Sequence, residues 1–346
     1  MASENNEKDI LDFIIQHPRA SSTEIEQGLG SMALATIKRG LRKLLADNQI
    51  LVEGKGKATR YLLSPAYELI RPIDVAEYFT KEIDERNIRT GFNHDLIPQV
   101  LASATIFTKD ENEKLKKLQS LYIEKSSQLT PFEFKKEQER LAIDLSWKSS
   151  QIEGNTYSLL ETERLLKDKE TAAGKPKDDA TMLLNHKEAI DFIIAQPKYV
   201  TPLTVSAIED IHSILIKDLG VDRNMRTHRV AISGTNYKPL DNPFQIKEAL
   251  ENMCKLVNSQ ENVFSKAFQV LTLISYIQAF ADGNKRTARI ISNAVLISNG
   301  FCPISFRTID SVEYKKAMLI FYEQNNIRPF KDIFITQFEF AVNTYF

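Results

Sequence analysis

Residues 278–289 read Gln278-Ala279-Phe280-Ala281-Asp282-Gly283-Asn284-Lys285-Arg286-Thr287-Ala288-Arg289. An apolar run from Val270 to Ile277 leads in, and a second, Ile290 to Ile297, leads out. This pattern predicts two apolar helices joined by a short polar loop that opens onto a helix N-terminus. Free backbone N–H groups at such a terminus, with glycine permitting close approach, form an anion site. Arg286 and Arg289 are three apart and share a helix face. Asp282 is placed to hold a divalent cation on the same anion. The chemistry is that of a polyphosphate pocket, weighed against a capped helix start whose arginines are merely solvated.

The surrounding chain is ordinary in composition. Its 346 residues are enough for two domains, with 42% hydrophobic and 26% charged residues. A net charge of −1 excludes the whole chain as a magnet for nucleic acid, so any such role needs a local patch. Cys254 and Cys302 lie in apolar stretches and read as buried thiols. The five histidines (17, 94, 186, 212 and 228) have no metal-ligand spacing. His212 falls on an apolar helical face and reads as a satisfied core histidine. The acidic, polar N-terminus is unlike a signal peptide, and no apolar run reaches the length of a membrane span. The expected location is the cytoplasm, with no membrane partner. Period-3.6 patterns dominate, so the fold is expected to be mainly α.

Residues 1–65 read as a separate small α+β domain. Ile10, Leu11, Phe13, Ile14 and Ile15 mark a first helix ended by His17-Pro18. Ser21 and Glu24 form a capping box for a second, and a third runs over about 33–46. Two short apolar runs, 50–52 and 60–63, bracket a Gly/Lys tip and predict a hairpin. Three helices and a basic hairpin look like a winged helix-turn-helix. Lys38, Arg39, Arg42 and Lys43 on the third helix, with Lys55 and Lys57 on the wing, are candidates for duplex DNA. The alternative is a winged helix used for protein contacts. Residues 66–130 read as a helical connector whose Glu/Lys-rich faces are solvated.

From residue 131 the motifs tighten into one resemblance. The 278–289 stretch resembles the signature loop of the Fic family, H-x-F-x-D/E-G-N-G/K-R-x-x-R, at every position except the first, where Gln278 stands for the family's histidine. Ser149-x-x-x-Glu153-Gly154 looks like the family's inhibitory helix, S/T-x-x-x-E-G/N, here near 145–155. Arg226 to Pro239 resembles the family's flap, R-x-x-x-V-x-I-x-G-x-x-Y-x-P, and the Val230/Ile232 alternation suggests a short β-hairpin. The resemblance implies a Fic helical core over 131–346 with a hairpin flap.

It also implies a protein adenylyltransferase, transferring AMP from ATP to a Ser, Thr or Tyr hydroxyl of a target protein or of the chain itself. Gly283, Asn284, Lys285, Arg286 and Arg289 would bind the phosphates, and Asp282 would hold Mg²⁺. Ile232, Ser233, Gly234, Thr235, Asn236 and Tyr237 would clamp the target. Glu153 would pair with Arg289 and keep it from the γ-phosphate. Gln278 has no useful basicity near neutral pH, so activity is expected to be impaired. Two other readings stay open: a DNA-binding regulator whose core senses a nucleotide, and a nucleotide- or pyrophosphate-binding module acting on protein partners. Homodimerisation is also left open.

Overall fold

Helical periodicity in the sequence becomes fifteen α-helices and one two-stranded sheet among the described residues. The computed structural model describes residues 2–346. It divides after Pro72 into two compact units.

The first unit contains α1 (Ala2–Gln16), α2 (Ser22–Leu29), α3 (Leu34–Ala46), β1 (Ile50–Glu53), β2 (Arg60–Leu63) and α4 (Pro65–Ile70). Ser21 and Glu24 form the expected capping box on α2. Ile10, Ile14, Ile25, Ile37, Leu41 and Leu44 share one apolar core. Gly40, a poor helix former within α3, has a packing reason: a β-carbon there would stand 2.6 Å from Ile10 Cδ1 of α1. The strands pair antiparallel, Ile50 opposite Leu63 and Glu53 opposite Arg60, with a 3-10 turn over Gly56–Ala58 at the tip. Lys38, Arg39, Arg42, Lys55 and Lys57 are exposed. Lys43 differs from the other helix cations, because its ammonium pairs with Glu7 of α1 at 2.7 Å.

The second unit contains α5 (Val75–Tyr78), α6 (Lys109–Gln128), α7 (Pro131–Ile152), α8 (Leu159–Asp168), α9 (Lys177–Ala195), α10 (Val205–Leu215), α11 (Pro243–Ser259), α12 (Val263–Ile277), α13 (Asn284–Ser298), α14 (Ser311–Gln324) and α15 (Arg328–Tyr345). Every residue of α12 from Ala267 onward is buried, and so is α13 from Arg286 to Leu296. Helices buried all round form the centre of a bundle, so the loop between them is held from every side. Residues from 73 onward pack into this unit rather than linking two bodies. Phe107 meets Phe268 edge-on at 5.8 Å, and Glu111 pairs with Lys331 at 2.8 Å. Both cysteines are buried and free. No described helix is long and apolar enough to cross a membrane.

The segment 226–239 corrects the expectation of a self-paired hairpin. It turns at Ser233–Gly234, with Gly234 at φ +86°, but its arms form no ladder with each other. The outgoing arm is claimed elsewhere: Lys238 N–H donates to the Thr90 carbonyl at 2.9 Å, and Gly91 and Lys238 form an isolated parallel bridge.

Candidate nucleotide site

The loop at 278–283 is shaped by backbone conformation first. Gln278 ends α12 in the left-handed region at φ +52°, and Gly283 starts α13 at φ +80°. A β-carbon at 283 would lie 3.1 Å from Ile216 and 3.3 Å from His212, so both conformation and space call for glycine. Asn284 braces the turn. Its carboxamide oxygen accepts from Phe280 N–H at 2.9 Å, and its amide donates to the Phe280 carbonyl at 2.8 Å and to Gln278 Oε1 at 3.1 Å. Gln278 Nε2 donates to the Ser275 carbonyl at 2.6 Å. Both ends of the Gln278 side chain are therefore spent inside the loop.

Arg226 and His212 hold the loop from outside. Arg226 Nε donates to the Gln278 carbonyl at 2.6 Å, and its backbone N–H donates to the Ala279 carbonyl at 3.0 Å. His212 stacks on Phe280 with ring centroids 3.7 Å apart. Its Nε2 lies 3.0 Å from the Asp282 carbonyl and its Nδ1 3.3 Å from the Arg223 carbonyl. Burial pushes its pKa below the usual histidine value. His212 thus lies buried with both ring nitrogens facing backbone carbonyls, on the apolar face its sequence suggests. Arg226 was absent from the sequence-derived site; its signal was the first position of the flap pattern.

The first-turn amides of α13, at Asn284, Lys285 and Arg286, have no intrahelical acceptor and mark the positive end of the helix. They line a cavity of about 170 Å³ together with Asp282, Gly283 and Gln278. Gly283 N–H is covered by Asp282 Oδ1 at 2.6 Å, and Arg286 Nη2 donates to Asp282 Oδ2 at 3.1 Å. Asp282 itself remains about two-thirds exposed. Among the described residues, no three His, Cys, Asp or Glu side chains form a metal cage.

Arg289 lies three residues beyond Arg286 on α13. It is fully buried, and its Nε donates to Ser149 Oγ at 2.7 Å. Its Nη2 donates to the Ser149 carbonyl at 2.9 Å and to Glu153 Oε1 at 2.8 Å. Lys285 Nζ stands 3.5 Å from Glu153 Oε2. The α7 motif and the α13 loop are therefore one site, 136 residues apart in sequence between Glu153 and Arg289. Burial acts to raise the Glu153 pKa, but Arg289, Lys285 and Arg286 outweigh it, and the net direction is down. Glu153 is an anion seated at a helix N-terminus. Tyr314 lies beside Arg289, with its ring centroid 5.3 Å from the guanidinium carbon. Sequence reading missed Tyr314, because a lone aromatic on α14 carries no motif.

The flap residues divide. Ile232 and Ser233 line the cavity. Tyr237 does not face it, which corrects its assignment to target binding: it is buried between Tyr276 and Tyr322, and its hydroxyl donates to the Tyr276 carbonyl at 3.2 Å. An apolar ring finds more burial in that aromatic stack than at the surface. Thr235 Oγ1 accepts from Tyr237 N–H, and the Asn236 amide donates to Asp84 Oδ1 at 3.0 Å. Neither of these two side chains is turned to the cavity lining.

Residues 202–296 match the family model of the Fic/DOC family. The chain carries a Fic domain. The chain is similar to the protein adenylyltransferase Fic of Nematostella vectensis, 30% identical over 196 residues, covering 53% of this chain and 43% of that protein. The protein of the same name from Drosophila ananassae is 24% identical over 183 residues, covering 52% and 36%. The matches span less than half the length of these curated relatives. The fold is similar to that of Fic-1 from C. elegans, with a TM-score of 0.60, 19% identity and coverage of 68% of this chain and 72% of that one. It is also similar to a Fic-domain-containing signaling protein from Bacteroides thetaiotaomicron, with a TM-score of 0.57, 21% identity and coverage of 67% and 95%. At these identities the structures show a shared fold. The matched residues 202–296 include the turn from Gln278 to Gly283 and the start of α13 that carries Arg286 and Arg289.

Proposed function

We propose that the chain is an adenylyltransferase-type Fic protein that binds ATP at the α13 N-terminus, is held closed by Glu153, and transfers AMP poorly because Gln278 stands where a proton acceptor is needed. The observation that carries this reading is the Glu153 carboxylate, 2.8 Å from the buried Arg289 and 3.5 Å from Lys285. An anion from α7 occupies the charge environment a polyphosphate would use. The relatives' name, protein adenylyltransferase, supports ATP as substrate and a protein as acceptor.

In this reading the phosphates lie on the free amides of residues 284–286, with Arg286 beside them. Arg289 takes the γ-phosphate once Glu153 leaves. A second cavity of about 270 Å³, lined by Tyr314, Met318, Leu319 and Tyr322, adjoins the first and offers an apolar wall for the base. Neither cavity alone reaches the ~300–1,000 Å³ of a ligand pocket. Glu153, Ile232, Ser233 and Lys285 line both, so displacing the Glu153 side chain opens one into the other. Asp282 would hold Mg²⁺, which supplies charge neutralisation on the phosphates when bound. Ala231 and Ile232 lead past the cavity, and no backbone hydrogen bond engages residues 229–233 among the described contacts. This stretch is suited to an extended target presenting a hydroxyl. The chain's residues then bind, orient and neutralise; the step they lack is proton removal, worth roughly 10²–10⁴ in rate.

Labelled ATP with a cell lysate tests this on the four combinations at 278 and 153. Gln278→His with Glu153→Gly is expected to label protein, and the parent chain not. Absence of label with the double variant, itself included, sinks the transferase reading.

A second reading rests on one observation: Lys38, Arg39 and Arg42 are all exposed on α3, and Lys55 and Lys57 are exposed at the hairpin tip. We infer that this unit contacts the phosphates of duplex DNA. Binding should fall steeply with salt, and Arg39→Ala or Arg42→Ala should weaken it. Lys43→Ala should weaken it less, because Glu7 already answers that charge.

A further inference from the structure

Residues 78–91, within the second unit, run beside the outgoing arm of the flap. Three contacts tie them. The Asn236 amide donates to Asp84 Oδ1 at 3.0 Å, Arg86 Nη2 donates to the Gly234 carbonyl at 2.8 Å, and Lys238 N–H donates to the Thr90 carbonyl at 2.9 Å. The middle contact is the strongest in kind, because its donor is a guanidinium.

That guanidinium is itself fixed. Its side chain is 4% exposed, and its Nη1 pairs with Glu323 Oε1 of α14 at 3.1 Å. The Glu323 carboxylate is fully buried and accepts a second bond, from the Tyr78 hydroxyl at 2.6 Å. Phe79 covers the guanidinium, with its ring centroid 5.1 Å from the carbon. Arg89 N–H also donates to the Glu323 carbonyl at 2.9 Å. A buried cation–anion pair is costly unless each charge is well partnered. Here one nitrogen of the cation is directed at the carbonyl of the turn residue Gly234. Packing alone would be served by an apolar pair of the same volume; a directed hydrogen bond to Gly234 would not.

We propose that Arg86 is a positioning residue of the flap, and that residues 84–91 are a built-in brace for its outgoing arm. The pair Arg86–Glu323 holds Gly234, and with it Ser233 and Ile232 over the cavity. One side of the flap is thereby occupied by the chain itself, so an extended partner can pair only along residues 229–233. The inference rests on the proposed role of 226–239 as the flap of the nucleotide site.

Trypsin digestion of the intact chain tests it. Cleavage after Arg229, in the flap, is followed against cleavage after Lys169, an exposed residue after α8. Arg86→Lys keeps a cation for Glu323 but lacks the second fork nitrogen for Gly234. Glu323→Gln keeps the shape and removes the charge. Either should raise Arg229 cleavage relative to Lys169 by about tenfold, the scale of one lost charge-assisted hydrogen bond. A fluorinated thiol probe on Ser233→Cys, where the native cysteines are buried, should shift or split its resonance in the Arg86→Lys background. An unchanged ratio with an unchanged resonance overturns the proposal. So does a parallel rise at both cleavage sites, which would make the pair a general prop. Neither measurement uses nucleotide or target, so a failure of AMP transfer and a failure of this inference are separable.

Discussion

Gln278 and Glu153 line one cavity, and the role proposed for each has its own test. Gln278 is held by Ser275 and Asn284, so it braces the loop but cannot receive a proton. Gln278→His alone should leave AMP incorporation low, because Glu153 still faces Arg289; in the Glu153→Gln background, Gln278→His should raise it by roughly 10²–10⁴, read as label incorporated per minute. Glu153 also bears on stability. Its folded pKa lies below the ordinary glutamate value of 4.5, so its stabilising contact is present above that value and is lost as pH falls through the folded pKa. Glu153→Gln should therefore lower the melting temperature at pH 7, and the gap to the parent should close as pH drops below 4.5. ATP should raise the melting temperature of Glu153→Gln more than that of the parent, since bound ligand stabilises only what it can enter. An equal ATP shift in both would contradict the closed-site reading.

At the scale of elements, the turn between α12 and α13 decides whether an anion site exists at all. Gly283 is left-handed and crowded by Ile216 and His212. Gly283→Ala should cost about 1–2 kcal/mol from backbone conformation alone, with more from crowding, measured by urea unfolding. Gly283, Asp282 and the arginines were legible because a loop motif needs those residue types at that spacing. The flap was legible only in part. Its valine and isoleucine alternation suggested two paired arms, yet Tyr237 is drawn into the aromatic stack and Lys238 to Thr90. Strand pairing depends on which backbone stands alongside, and no local pattern encodes residue 90 lying next to residue 238.

At the scale of the whole molecule, the two units have separate cores. Leu41 is 1% exposed in the core shared by α1, α2 and α3. Leu41→Ala should cost about 2–5 kcal/mol of that unit's stability. ATP affinity at the α13 terminus should be unchanged, by calorimetric titration below the unfolding transition. The sequence by itself determined the helical class, the capping box of α2, the buried thiols, and a Gly-Asn turn that opens an arginine-bearing helix with Gln278 before it. These follow from local rules: periodicity, cap chemistry, and residue types at fixed spacing. The tertiary structure alone decided that Glu153 reaches Arg289, that Tyr237 turns inward, that Lys43 is answered by Glu7, and that Arg86 grips Gly234. Each of those depends on groups distant along the chain meeting, and all but the exposed Lys43 meet in a buried setting. There, burial strengthens a charge contact and penalises any polar group left without a partner.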